Sequence, residues 1–286
     1  MTKILIIGSD GMLGHLLSNF LKIRSNFSIY NLSRKNHSKS ENHYICDLFD
    51  KDSLIKIIEE INPNFIINCS GILINESNKS TKDAIYINAY LPHFLVEVST
   101  SFNFKLIHIS TDCVFSGKKG PYSEDSIPDA NDTYGLTKSL GEINSNNHLT
   151  IRTSIIGPEI RKNREGLLNW ILNEKGNVSG YTKSIWSGVT TVELSKALKF
   201  SILNDLSGLW ILTSKQPISK YNLLEKIINR FNLSEINLLK EDYVVTNKSM
   251  TSNRKISYIV PSYDEMIDEM FDYIKTNNHI YKYNFL

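Results

Sequence analysis

Three glycines, Gly8, Gly11 and Gly14 in "GSDGMLG", follow directly on the apolar run "KILIIG" with the spacing G-x-x-G-x-x-G. No other feature restricts the fold as much. An apolar strand that turns at once into a helix needs a tight turn. Glycine permits that turn, a close approach of backbone to a diphosphate, and close helix–strand packing. The helix opening at Met12 then offers unpaired N–H groups toward the same point. The pattern predicts a dinucleotide held by Gly8, Asp10, Gly11, Met12, Leu13 and Gly14, in a fold that begins with a βαβ unit.

The alternation continues along the chain. "MLGHLLSNFLKI" (12–23) has helical spacing, and "FSIYNLS" (27–33) reads as a second strand. "KDSLIKIIEEI" (51–61) reads as a helix capped by Asp52 or Ser53, and "PNFIINCS" (63–70) as the next strand. A long helix over about 83–101 precedes the strand "FKLIHIST" (104–111), and "LTIRTSII" (149–156) is a further strand. Apolar strands alternating with amphipathic helices predict an α/β fold: a Rossmann-type, doubly wound parallel sheet. Beyond residue 158 the rhythm loosens, with helices expected again over 219–231 and 262–275. The expected division is a dinucleotide-binding domain over 1–158, with 186–214 returning to it, and a smaller substrate-binding lobe from 159–185 and 215–286.

Composition narrows the function. The 286 residues, 41% of them hydrophobic, suffice for a sizeable core. Net charge is +2 with no sustained basic run, which argues against nucleic acid as a partner. The three cysteines, Cys46, Cys69 and Cys113, show no CxxC spacing and fit a reducing compartment. The seven histidines lack metal-ligand spacing, so no metal is expected. The N-terminal apolar run is too short for a signal peptide, and "FIINCSGILI" spans about half a membrane. The expectation is a cytoplasmic protein without a membrane partner.

The dinucleotide can be narrowed. A carboxylate about 20 residues after the glycines would grip the ribose of NAD, whereas an arginine there suits the 2′-phosphate of NADP. Here the second strand ends in "NLSRKNHSK", with Ser33 and Arg34 and no acid between 28 and 40. NADPH is therefore the expected cofactor. Asp47 and Leu48, after the third strand, would stand at the adenine edge, although Asp47 is equally suited to holding a turn.

The chemistry gathers at "STDCVFSG" (110–117) and "DTYGLTKSLGE" (132–142). Thr111 ends a strand at the sheet edge where ligands bind. Tyr134 and Lys138, four apart, share one face of a helix opening at that edge. A free tyrosine has a pKa of about 10, and a neighbouring ammonium favours the phenolate. Lys138 is thus expected to lower Tyr134 and to reach the cofactor's ribose. In this reading Tyr134 gives the proton to a carbonyl oxygen as hydride reaches its carbon, and Thr111 hydrogen-bonds that oxygen.

Together "GSDGMLG", "STDCVFSG" and "YGLTK" resemble the extended short-chain dehydrogenase/reductase superfamily, and within it the dTDP-4-dehydrorhamnose reductase family of sugar-nucleotide 4-ketoreductases. Further likeness lies in "INPNFIINCSG", "INAYLPHFLVEVS", "IRTSIIG" and "GLWILTS". The resemblance implies a catalytic trio of Thr111, Tyr134 and Lys138, with Cys69, Ser70 and Gly71 against the nicotinamide ribose. It also implies a dTDP-, UDP- or GDP-linked sugar in contact with segment 154–190, with Arg152 and Asn253 nearby, and is compatible with a homodimer. Trp170, Tyr181 and Trp186 could stack on the nucleotide base or pack in the smaller lobe. Asn88 is suited to holding a water near Lys138 or to bonding the backbone.

The family usually has an aromatic residue after the "STD" triplet, where this chain has Cys113. A cysteine stands two residues after the catalytic serine in GDP-fucose synthase, a related enzyme that both epimerises and reduces, and here Glu159 follows Gly157-Pro158. Three functions are therefore carried forward: a plain 4-ketoreductase, an epimerase/reductase using Cys113, and a non-catalytic NADP-binding regulatory subunit like that of methionine adenosyltransferase.

Overall fold

Ile4, Leu5, Ile6 and Ile7 of β1 (Lys3–Ile7) are wholly buried, as required of a strand with neighbours on both edges and helices on both faces. This computed structural model describes residues 1–36, 42–160, 166–281 and 283. After β1 come α1 (Met12–Arg24), β2 (Ser28–Ser33), β3 (His43–Ile45), α2 (Lys51–Ile61) and β4 (Phe65–Asn68). A helical stretch follows as α3 (Ile74–Lys79), α4 (Thr81–Ala84), a π-helical turn (Ile85–Tyr90) and α5 (Leu91–Phe102). Next are β5 (Lys105–Thr111), a 3-10 turn (Asp112–Val114), α6 (Thr133–Leu140) and β6 (Leu149–Thr153). Then come β7 (Ile155–Ile156), α7 (Leu167–Ile171), β8 (Gly176–Tyr181), β9 (Ser184–Trp186), β10 (Val189–Thr190), α8 (Thr191–Leu203) and β11 (Gly208–Ile211). The chain ends through β12 (Ile218–Ser219), α9 (Lys220–Arg230), β13 (Ile236–Glu241), β14 (Thr246–Asn247) and α10 (Tyr263–Thr276).

Seven of these strands form one parallel sheet in the order β11-β6-β5-β4-β1-β2-β3. Two apolar cores cover it. One holds Ile4 and Ile6 with α1, α8 and α10; the other holds Leu5 and Ile7 with α2 and α5. Strand order reverses between β1 and β4, and there the carboxyl ends open a crevice. The remaining short strands pair outside the sheet: β8 with β13, β9 with β12 and β14, and β7 with β10. No helix among the described residues is long and apolar enough to cross a membrane.

Several elements differ from their sequence pattern. The cap of α2 is Asp50, not Asp52 or Ser53; its carboxylate accepts from the Ser53 N–H at 3.0 Å and the Ser53 hydroxyl at 2.6 Å. The helix expected over 83–101 is interrupted by the π turn, which turns Asn88 inward to full burial. The strand expected over 149–156 divides after Thr153, because β7 leaves the large sheet to pair with β10. The α8 helix gave no clear pattern, since its buried face mixes Leu194 and Leu198 with Thr191, Glu193 and Ser195.

Candidate active site

The glycine turn is built against backbone. Gly8 has φ +79°, and a Cβ there would lie 2.8 Å from the Ser70 nitrogen. A Cβ on Gly14 would lie 2.3 Å from the Gly8 carbonyl oxygen. Gly11 caps α1 without a side-chain hydrogen bond, and no acid stands in the first turn, so the helix N–H groups are left for an anion. Asp10 is buried, with Oδ2 3.1 Å from Ser33 Oγ, which fastens the end of β2 to the turn.

A cavity over this turn is lined by Gly8, Asp10, Gly11, Ser33, Arg34, Asp47, Leu48, Cys69, Ser70 and Gly71, all proposed from the sequence. It adds Cys46, Phe49, Ile72 and Ile87, which are apolar or ordinary loop positions with no local signal. Arg34 is exposed at its rim. Asp47 also holds the loop, accepting from the Phe49 N–H at 3.2 Å. Gly14 lines no part of the cavity and serves the packing of α1 on the turn.

A second cavity shares Gly11, Cys69, Ser70 and Gly71 with the first and adds Met12, Leu13, Thr111, Cys113, Tyr134, Lys138 and Glu159. Thr111 closes β5, and its hydroxyl accepts from the Cys113 N–H at 3.1 Å. Asp132 caps α6 by accepting from the Gly135 N–H at 2.9 Å, which sets Tyr134 and Lys138 on the cavity face. Burial, then the Cys113 thiol beside it, raises the Tyr134 phenol above its ordinary value, and a hydrogen bond with Thr111 opposes them. Lys138 does not offset that rise, contrary to the sequence expectation: its ammonium donates to the Ile109 carbonyl at 2.7 Å, into the sheet. Burial pulls Lys138 down to about 8, against the attraction of Glu142 and Cys69. Tyr134 is thus a neutral phenol at pH 7, the form that can give a proton to an oxyanion.

Other expected substrate contacts fall elsewhere. Arg152 is buried in an ion pair with Glu142, its Nε 2.8 Å from Oε1 and Nη2 2.6 Å from Oε2. Trp186 is buried one layer behind the cavity wall, donating to Ser154 Oγ at 2.8 Å. Trp170 is exposed on α7 and lines neither cavity. Asn253 lies in a turn contact, its Nδ2 2.9 Å from Asp125 Oδ2. Residues 161–165 of the expected sugar-contacting segment lie outside the described residues. Asn88 bonds backbone and side chain rather than framing a space: Oδ1 accepts from Ile72 N–H at 2.8 Å, and Nδ2 donates to the Ile72 carbonyl at 2.9 Å and to Thr137 Oγ1 at 3.2 Å.

Sequence reasoning passed over four charged or titratable groups here. Glu142 accepts from Ser110 Oγ at 2.6 Å and faces Lys138. His108 is wholly buried beneath Lys138. Lys220 lies 4.8 Å over the Trp186 ring, and the charge of Lys248 acts on the Cys113 thiol, favouring its ionised form. The two lysines come from segments more than a hundred residues beyond Cys113 in the chain, so no spacing could reveal them.

Comparison with known proteins matches residues 1–255 to the family model described as RmlD substrate binding domain. A dTDP-4-dehydrorhamnose reductase of Aggregatibacter actinomycetemcomitans is 29% identical over 144 residues, 50% of this chain. That match spans 46% of the relative, just under half its length. The methionine adenosyltransferase 2 subunit beta of Danio rerio is 25% identical over 256 residues, covering 83% of this chain and 76% of that one. Among solved structures, the dTDP-4-dehydrorhamnose reductase of Bacillus anthracis in complex with NADP superposes with a TM-score of 0.81 at 22% identity, covering 96% and 99% of the two chains. That likeness shows the fold.

Proposed function

The chain belongs to the RmlD substrate binding domain family, and from that premise we propose that it is an NADPH-dependent reductase of the 4-keto group of a nucleotide-linked 6-deoxy sugar. The observation that carries the reading is one edge of one sheet where an uncapped helix N-terminus meets Thr111, Tyr134 and Lys138 across two cavities with a shared wall. The Bacillus anthracis reductase, described in complex with NADP, supports the choice of dinucleotide, as does Arg34 at the rim of the first cavity.

NADPH, when bound, supplies hydride to the carbonyl carbon. Gly11 and the first turn of α1 hold its diphosphate, Arg34 its 2′-phosphate, and Ser70 with Gly71 the nicotinamide ribose. Thr111 hydrogen-bonds the ketone oxygen, and Tyr134 transfers its phenolic proton there as negative charge develops. Lys220 and Lys248 bring positive charge near Cys113, a residue of the second cavity's wall, which suits a diphosphate-bearing substrate.

Two tests address this reading. Arg34→Ala is expected to weaken NADPH binding by roughly ten- to a hundredfold, the worth of a charge-assisted phosphate contact, with NADH little affected. Titration of both nucleotides measures it, and equal weakening would remove the 2′-phosphate assignment. The second concerns epimerisation. Burial, followed by Asp112, pushes the Cys113 thiol up to about 12, so at neutral pH it is no base. The product formed in D₂O is therefore expected to carry no ring deuterium beside the reduced carbon. Ring deuterium that disappears in Cys113→Ala would establish the epimerase/reductase instead.

A second reading rests on the long match to the Danio rerio subunit: a dinucleotide-binding regulatory partner without turnover. Hydride consumption with dTDP-, UDP- and GDP-linked 4-keto-6-deoxy sugars separates the two, because a regulatory subunit would bind NADPH and consume none.

A further inference from the structure

Lys138 is in contact with a buried polar chain that runs back to the cavity by another route. Its Nζ stands 3.5 Å from Nε2 of His108, a β5 side chain with no solvent exposure. On the other edge of that ring, Nδ1 is 3.3 Å from Nδ2 of Asn68. The orientation of Asn68 is decided by Ser70: the Asn68 Oδ1 accepts from the Ser70 backbone N–H at 3.1 Å and from the Ser70 hydroxyl at 2.6 Å. A backbone N–H only donates, so the amide oxygen must face Ser70 and the amide NH₂ must face His108. His108 Nδ1 then has to accept. Burial, and secondarily the charge of Lys138, keeps the imidazole neutral, leaving one ring proton, and it resides on Nε2. That N–H is directed at the lysine nitrogen. Against an ammonium it is donor facing donor; against a neutral amine it is a hydrogen bond to the lone pair.

We infer that His108 is a positioning residue for Lys138: held by Ser70 and Asn68 with its Nε2–H toward Nζ, it favours the neutral amine, so that Lys138 can take up and release a proton rather than act as a fixed cation. The inference builds on the reading of Tyr134 as proton donor and adds which group governs the lysine behind it. The other groups facing Lys138 are consistent with an exchangeable proton. Glu142, just past the end of α6, favours the ammonium, but its carboxylate is shared with Arg152. Cys69, at the end of β4, is pushed by burial to about 12 and stays a thiol at neutral pH. His93 of α5 acts on His108 in the same sense as Lys138, disfavouring its protonation. Tyr134, one turn back on α6, is a neutral phenol. Ser70 lines both cavities, so the chain links the cavity wall to the lysine.

The test is NMR on the full chain labelled with ¹⁵N-histidine and ¹³Cε-lysine, with Lys138 assigned by its loss in Lys138→Arg. In the wild type His108 is expected to show protonated Nε2 and bare Nδ1 across about pH 6–9, and Lys138 to titrate near pH 8. His108→Met removes the facing donor and is expected to move the Lys138 titration upward by about one unit. Asn68→Asp offers Nδ1 an acceptor, reverses the tautomer and presents Lys138 with a lone pair. It is expected to move the titration upward by more than His108→Met does. A His108 proton on Nδ1 in the wild type, or an unchanged Lys138 titration in both folded variants, would overturn the inference. Neither readout needs a substrate. The pH profile of NADPH consumption should shift with the lysine; if the NMR shifts occur in a protein that turns over no keto sugar, His108 keeps its role and the reductase reading fails.

Discussion

Tyr134→Phe is expected to cut keto-sugar reduction by roughly a hundred- to ten-thousandfold while leaving NADPH binding intact. That range is the usual contribution of a positioned general acid. The change removes one oxygen from a ring held at the start of α6 and leaves the aromatic packing in place. The hydroxyl is raised by burial, so it is protonated throughout the physiological range and available to an alkoxide forming beside Thr111. Steady-state turnover together with NADPH titration checks the expectation. A loss confined to KM would mean that Tyr134 only holds the sugar, because removing a group that acts in the transition state lowers kcat and kcat/KM together. Near-normal turnover would remove the proton donor from the mechanism, and weakened NADPH binding would show that the phenol serves the cofactor.

Arg152→Ala is expected to destabilise the protein by about 3–5 kcal/mol, because it strips one partner from a buried ion pair and leaves the other charge uncompensated. For a chain of this size that corresponds to a fall in Tm on the order of 10 °C. The Arg152 and Glu142 side chains are 3% and 13% exposed, bonded through two nitrogens, and the guanidinium lies 4.9 Å over the Phe115 ring. Thermal unfolding checks the figure. The competing expectation, that Arg152 touches the nucleotide sugar, makes the opposite forecast: an unchanged Tm and a raised KM. Glu142 also faces Lys138 and holds Ser110, so any residual activity of the folded variant should show a displaced pH profile.

The glycine turn, Thr111 and the Tyr134–Lys138 pair could be read from the chain because each depends on spacing within a few residues. Gly8 must adopt φ +79°, and Gly14 must leave room for a carbonyl; both are demands of a single turn. The parallel sheet was legible for a similar reason, since its strands are continuous apolar runs buried on both faces. The limits came where local pattern and packing part company. The spacing pointed to Asp52 or Ser53 as the cap of α2, but Asp50, one residue before the helix, holds that place, and the π turn places Asn88 by inserting backbone that no periodicity records.

What the sequence determined by itself is the chemistry available at one sheet edge: a turn fit for a diphosphate, a phenol, a hydroxyl and an amine, each set by neighbours in the chain. What only the tertiary structure decided is the state and orientation of those groups. Arg152 was drawn to Glu142 and away from the cavity, Trp186 withdrew behind Ser154, and Lys138 turned toward Ile109 and His108. The electrostatic environment of Tyr134 came from burial and Cys113 rather than from the lysine one turn along. Desolvation and hydrogen-bond partners depend on what other segments bring alongside, and for these groups the partners stand 10 to 32 residues away, beyond the reach of any local spacing.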